Sequence, residues 1–114
     1  MAIQTTAEKN SLANKYAADA LYGAVYTTAP GASAGTEPSG GSPAYARKAL
    51  SWSSASGGSV TATATFDVPS GATVIGAGLH TAATAGTYLD GVSVTSQAFA
   101  SQGTYQITFT YTQS

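Results

Sequence analysis

The sequence has no cysteine, one histidine, one tryptophan and very little charge. Without cysteine, disulfides and thiolate metal sites are excluded, and with His80 alone so is a histidine-rich metal site. Charged residues fill 8% of the 114 positions, where folded domains usually carry about 25%. The polar surface therefore falls to Thr, Ser, Gln and Asn. Hydroxyls and amides pack against neighbours at a lower desolvation cost than full charges, so this surface is compatible with a crowded assembly. Four cations, Lys9, Lys15, Arg47 and Lys48, stand against five carboxylates. So few scattered cations cannot neutralise the many phosphates that nucleic-acid binding rests on, and no nucleic-acid partner is expected. No apolar run is long enough for a bilayer, so no membrane partner is expected either. Met1–Gln4 lacks the positive start of a secretory leader, and Glu8, Lys9 and Asn10 interrupt any apolar stretch behind it.

The length is that of a single domain, 1–114. Thr5–Leu21 reads as its one helix. Thr5-Thr6-Ala7-Glu8 has the form of a capping box, and Leu12, Ala13, Tyr16, Ala17, Ala20 and Leu21 recur at helical spacing. Gly23 stands as the stop. From Ala24 onward the period falls to two, and 24–112 reads as a β-sandwich. Strands are expected at Ala24–Thr28, Ala44–Ser53, Val60–Phe66, Thr73–His80, Tyr88–Val94 and Thr104–Thr112. Ile75, Ala77 and Leu79 share one side of the fourth strand, and Gly76 and Gly78 leave room for close approach or a bulge on the other. Between the first two strands, 29–43 is a long loop rich in Gly and Pro, of a length often functional. The expected fold is all-β, an antiparallel β-sandwich or open barrel of about six strands with one N-terminal α-helix.

No constellation of catalytic residues is apparent, and no catalytic, cofactor-binding or metal site is assigned. His80 closes a strand and reads as a partly exposed rim residue. Asp67 and Asp90 both sit in turn or bulge chemistry rather than as a matched pair of carboxylates. No Gly-x-Ser-x-Gly elbow occurs, and Gly40-Gly41-Ser42-Pro43 lacks the lysine of a phosphate loop. No cofactor is called for. Arg47 and Lys48, adjacent on a strand, read as solvent-facing edge charges that discourage stray strand pairing. With seven tyrosines the chain has material for a contact surface, since the ring is apolar and its tip polar. Tyr45, Arg47, Lys48, Trp52 and Tyr88 form the candidate interaction surface.

The run Gly40-Gly41-Ser42-Pro43-Ala44-Tyr45-Ala46-Arg47-Lys48-Ala49, followed by Leu50-Ser51-Trp52, resembles a segment of small virion proteins from actinobacterial tailed phages. Tyr26–Gly31, Phe66–Val74 and Gly78–Ala82 resemble further segments in the same order. Such proteins are described as tail-fibre or minor tail proteins. The resemblance implies a non-enzymatic structural subunit of the virion, assembled in the host cytoplasm. Its expected partners are copies of itself, as a homo-oligomer, and other virion proteins of tail or capsid. No heptad or Gly-X-Y shaft is present. A fibre role therefore means a knob, adaptor or tip subunit, and a capsid decoration protein fits the size equally. The alternative is a host-surface carbohydrate-binding module, which requires an exposed aromatic cluster with amides or carboxylates beside it.

Overall fold

A computed structural model describes residues 5–113, so the expectation about Met1–Gln4 lies outside the described residues. Helix α1 spans Thr6–Asp19, and the Glu8 amide donates to the hydroxyl of the N-cap Thr5 at 3.3 Å. It ends at Ala20 rather than at Gly23, which lies inside the following strand. Gly23 serves packing instead. A side chain there would meet the rings of Phe66 and Phe109. The buried stripe of α1 is also narrower than its spacing predicts: Ala13 and Ala20 are fully buried, whereas Leu12 is 37% and Leu21 47% exposed. Two asparagines fasten the helix sideways. Asn10 accepts from the Gly58 amide at 2.8 Å and Asn14 from the Ala55 amide at 3.3 Å.

Six strands follow: β1 Tyr22–Tyr26, β2 Lys48–Ala49, β3 Ser59–Val68, β4 Thr73–His80, β5 Tyr88–Ala98 and β6 Gly103–Thr112. They make two antiparallel sheets, one ordered β2-β1-β4-β5 and the other a β3-β6 ribbon. The strand expected over Ala44–Ser53 shrinks to two residues, because Tyr45, Arg47 and Trp52 turn aside to partners elsewhere.

Strand β3 follows its alternation fully. Val60, Ala62, Ala64, Phe66 and Val68 are buried, and Thr61, Thr63 and Thr65 are exposed. Phe109 of β6 meets this inner face, and threonines face each other outside, with Thr63 and Thr108 sharing a hydroxyl hydrogen bond of 2.9 Å. The core lies between the sheets and joins these residues to Val25, Val74, Ala77 and Leu79. In β4 the inward residue is Val74 rather than Ile75. The β4–β5 register shifts between Val74 and Gly76, and one irregular residue reverses the faces.

The other face of the larger sheet is covered as well. Tyr26 lies opposite Gly76, Ala24 opposite Gly78 and Tyr22 opposite His80, which puts all six on this second face. The long loop folds back onto it. Pro30 sits over Gly76 and Gly91, Gly35 packs on Tyr26, and Tyr88 donates to the Gly31 carbonyl at 2.8 Å. The amides of Thr27 and Thr36 close the loop base, onto Thr36 O and Thr28 Oγ1, each at 2.7 Å.

Candidate interaction surface

Arg47 is not an edge charge. Its Nη2 donates to Glu37 at 2.8 Å and its Nε to both carboxylate oxygens, while Nη1 donates to the Ala82 and Ala85 carbonyls at 3.1 and 2.9 Å. The pair is mostly shielded, with side chains 13% and 25% exposed. All the guanidinium nitrogens are thus spent on fastening the long loop and the 82–85 turn together. Tyr45 completes the cluster, donating to Glu37 at 2.8 Å and accepting from the Val25 amide at 3.2 Å. Burial pushes the Glu37 carboxyl up, but hydrogen bonds from Arg47 and Tyr45 outweigh it and hold the group below its ordinary range. Burial raises the Tyr45 phenol well above its ordinary value. Lys48 reaches Asp67 at 3.3 Å and ties β2 to β3.

The remaining candidates lie in two further places. Tyr88 packs beside Tyr26 and His80 under the loop, with centroid separations of 6.4 and 5.6 Å. His80 corrects the sequence reading: it is 3% exposed rather than on a rim, and Nε2 lies 2.6 Å from the Tyr26 hydroxyl. Burial first, and the Arg47 charge second, lower its pKa below the ordinary 6.5, with Glu37 opposing. Trp52 stands apart, donating to the Ala20 carbonyl at 2.7 Å and meeting Tyr16 edge to face. The structure therefore joins Tyr45 to Arg47, and leaves Lys48, Tyr88 and Trp52 each in a different contact. All five are half-buried.

Trp52 marks a feature that sequence reasoning missed. An apolar groove of about 330 Å³ runs between β4–β5 and β6, floored by Ala77, Leu79 and Phe109 and bordered by Tyr16, Tyr111, Asp90 and Val92. Tyr16 stacks on Tyr111 at 3.9 Å and donates to Asp90 at 3.2 Å. Burial, then the Asp90 charge, raises the Tyr16 phenol above its ordinary value. The groove exists because β5 pairs only with β4 and β6 only with β3 among the described residues, so the two sheets do not close on this side. Its signal in the sequence is the absence of any charged residue after Asp90.

Among the described residues no three of His, Asp and Glu converge as a metal site would require, and no helix is long and apolar enough to cross a membrane. Asp67 is held by Lys48, and Asp90 by Tyr16 and the Gly91 amide. Both of these carboxylates are thus engaged within the fold.

A family model described as Podophage GP4 fiber I protein gp80 matches residues 7–113, nearly the whole chain. The chain belongs to this family. It is a phage fibre structural protein and a component of the virion. No curated protein and no solved structure matches it. This gp80-family chain measures 48 × 22 × 22 Å, and among the described residues β5 and β6 are each paired on one side only.

Proposed function

We propose that this chain is a non-enzymatic accessory part of the phage tail, a knob, adaptor or tip subunit, rather than a capsid decoration protein. The observation that carries this reading is the fibre-family match over residues 7–113. Two features support it. The chain makes a globule with no shaft repeat, and four pairs of its ionisable side chains serve as staples: Glu37 with Arg47, Lys48 with Asp67, Lys15 with Asp19 and Asp90 with Tyr16. A part of this kind works by contact, and its partners are other tail proteins and copies of itself. It is assembled in the host cytoplasm, and the segment Gly40–Trp52 favours an actinobacterial host.

Peptide mass spectrometry on separated tails and heads of the particle tests this. The chain is expected with the tails; recovery with empty heads contradicts the tail reading. Hydrolysis of cell-wall polymer by the purified protein, lost on Asp67→Asn or Asp90→Asn, contradicts the non-enzymatic one.

A second reading is favoured by one observation. The groove gathers Tyr16, Trp52, Tyr111 and Asp90, the aromatic rings beside a carboxylate that a sugar-binding module needs. Against it, Trp52 Nε1 and Tyr16 OH are already engaged with protein acceptors. Binding of host-surface glycan by the purified protein, abolished by Trp52→Ala, favours this reading over pure scaffolding.

A further inference from the structure

His80 is the only histidine, the one side chain here whose ordinary pKa lies near neutrality, and it is sealed at 3% exposure. It touches both rings on which the tip of the long loop, 29–35, rests. Its Nε2 lies 2.6 Å from the Tyr26 hydroxyl, and the Tyr88 ring packs at 5.6 Å. Gly35 sits on the Tyr26 ring, and the Gly31 carbonyl accepts from Tyr88 at 2.8 Å. Pro30 fills the space over Gly76 and Gly91, and 31–34 face solvent. Among the described residues, one hydrogen bond and side-chain packing hold the tip to the sheet, whereas ladders of backbone hydrogen bonds join the strands beneath it. Its ends are fastened elsewhere. Thr27 and Thr36 close the base, and Arg47 and Tyr45 grip Glu37 beyond it.

We propose that segment 29–35 is an acid-released strap: a proton taken up by His80 lifts it from the β1–β4–β5 face, while the Thr27–Thr36 base and the Glu37 clamp stay closed. In the neutral ring one nitrogen donates and the other accepts, whereas in the imidazolium both donate. Protonation therefore brings a further donor hydrogen and a positive charge into a sealed site. Around the ring stand Tyr22 and Tyr26 of β1, Tyr88 of β5, Glu37 of the loop and Arg47 from ahead of β2. Arg47 is already positive, and the carboxylate of Glu37 is engaged by Arg47 and Tyr45. Water is the partner left for the new charge, and the strap is the least firmly held cover that can admit it. The sign follows from the closed state. Burial and the Arg47 charge hold the folded His80 below the ordinary 6.5, so below that value protons favour the lifted state. Glu37, held below its own ordinary range, keeps the clamp shut while the tip lifts.

Nuclear magnetic resonance on the full chain, from about pH 7.5 to about pH 4.5, tests this. With a single histidine, the imidazole signals assign themselves. As they titrate, Overhauser contacts from Pro30 to the α-protons of Gly76 and Gly91 are expected to fade with the same midpoint. The Gly31 and Gly35 amides are expected to gain mobility in step, while amide shifts along β3 and β6 stay in place. The lifted population is expected to grow by up to about tenfold per pH unit, the slope set by one proton. His80→Gln offers Tyr26 a hydrogen-bonding amide but takes up no proton, and is expected to hold the strap down throughout. Tyr88→Phe removes the bond to Gly31 and is expected to raise the His80 midpoint toward 6.5, since a looser strap lets water reach the ring. Pro30 contacts that persist to about pH 4.5 overturn the proposal, whether or not the ring has titrated. So does loss of the strap together with β3 and β6, or lifting at the same pH in His80→Gln. Should that variant not fold, a mismatch between the His80 and strap midpoints in the unaltered chain overturns it equally. Head or tail location of the chain has no bearing on these outcomes.

Discussion

Tyr26 and His80 share a 2.6 Å hydrogen bond although Tyr26 stands four residues along the sheet from the position that faces His80. The tyrosine ring spans that distance by lying across Gly78, where a side chain would run into the ring and its hydroxyl. The bond therefore depends on a missing Cβ. Both residues are sealed, Tyr26 fully and His80 to 3% exposure, so neither has solvent as a substitute partner.

Gly78→Ala is accordingly expected to displace the Tyr26 ring and break the bond. Overpacking of this kind costs about 1–3 kcal/mol, and the stranded imidazole adds to it. Denaturant unfolding checks this, and Tyr26→Phe, which keeps the ring and removes the hydroxyl, is expected to fall short of the Gly78→Ala loss.

The same pair makes stability depend on pH. The folded His80 pKa lies below the ordinary 6.5, so on the acid side of that value the unfolded chain binds a proton that the folded chain refuses. This stability is complete above the ordinary value and is lost as pH falls toward the folded one. Glu37, also lowered, adds a second loss at more acid pH. Tyr26 is raised above 10.0, so its contribution is present below that pH and is lost above it. A melting-temperature profile is expected to hold a plateau near neutrality with a two-step acid limb, and His80→Gln is expected to remove the first step.

Arg47 holds Glu37 through three hydrogen bonds and two turn carbonyls besides. Arg47→Lys retains the charge but not the planar fork, and is expected to lose most of what Arg47→Ala loses, about 2–3 kcal/mol for a shielded group left without its charged hydrogen bonds. Faster proteolysis within 29–43 is the accompanying sign, since the clamp holds that loop down.

Trp52→Phe keeps the ring against Tyr16 and removes the donor to the Ala20 carbonyl at the end of α1. The expected loss is about 1–3 kcal/mol, the cost of an unpaired buried acceptor, read as a lower melting temperature with unchanged β-sheet signal.

The strands were legible wherever one face is buried and the other wet. β3 and β6 alternate because Phe66 and Phe109 need the core while Thr63 and Thr108 do not, and the expected bounds of β4, Thr73 and His80, are those of the structure. Legibility failed where side chains act at long range. Nothing near Arg47 in the sequence marks Glu37 or the Ala82 and Ala85 carbonyls as its partners, so it read as an edge charge. The burial of His80 depends on a loop more than forty residues earlier in the chain folding over it, which no local pattern encodes. The bulge that swaps Ile75 for Val74 is likewise set by pairing with β5. The stretch after Asp90 holds no charged residue, a fact that acquires a place in the fold only with β5 and β6 as unpaired edges.

The proposed role of this gp80-family chain is that of a contact-making part of the tail. A reconstruction of the intact particle, resolved well enough to place this fold, tests it most directly. Density for this 48 × 22 × 22 Å fold is expected on the tail; density for it on the capsid lattice, with none on the tail, contradicts that role.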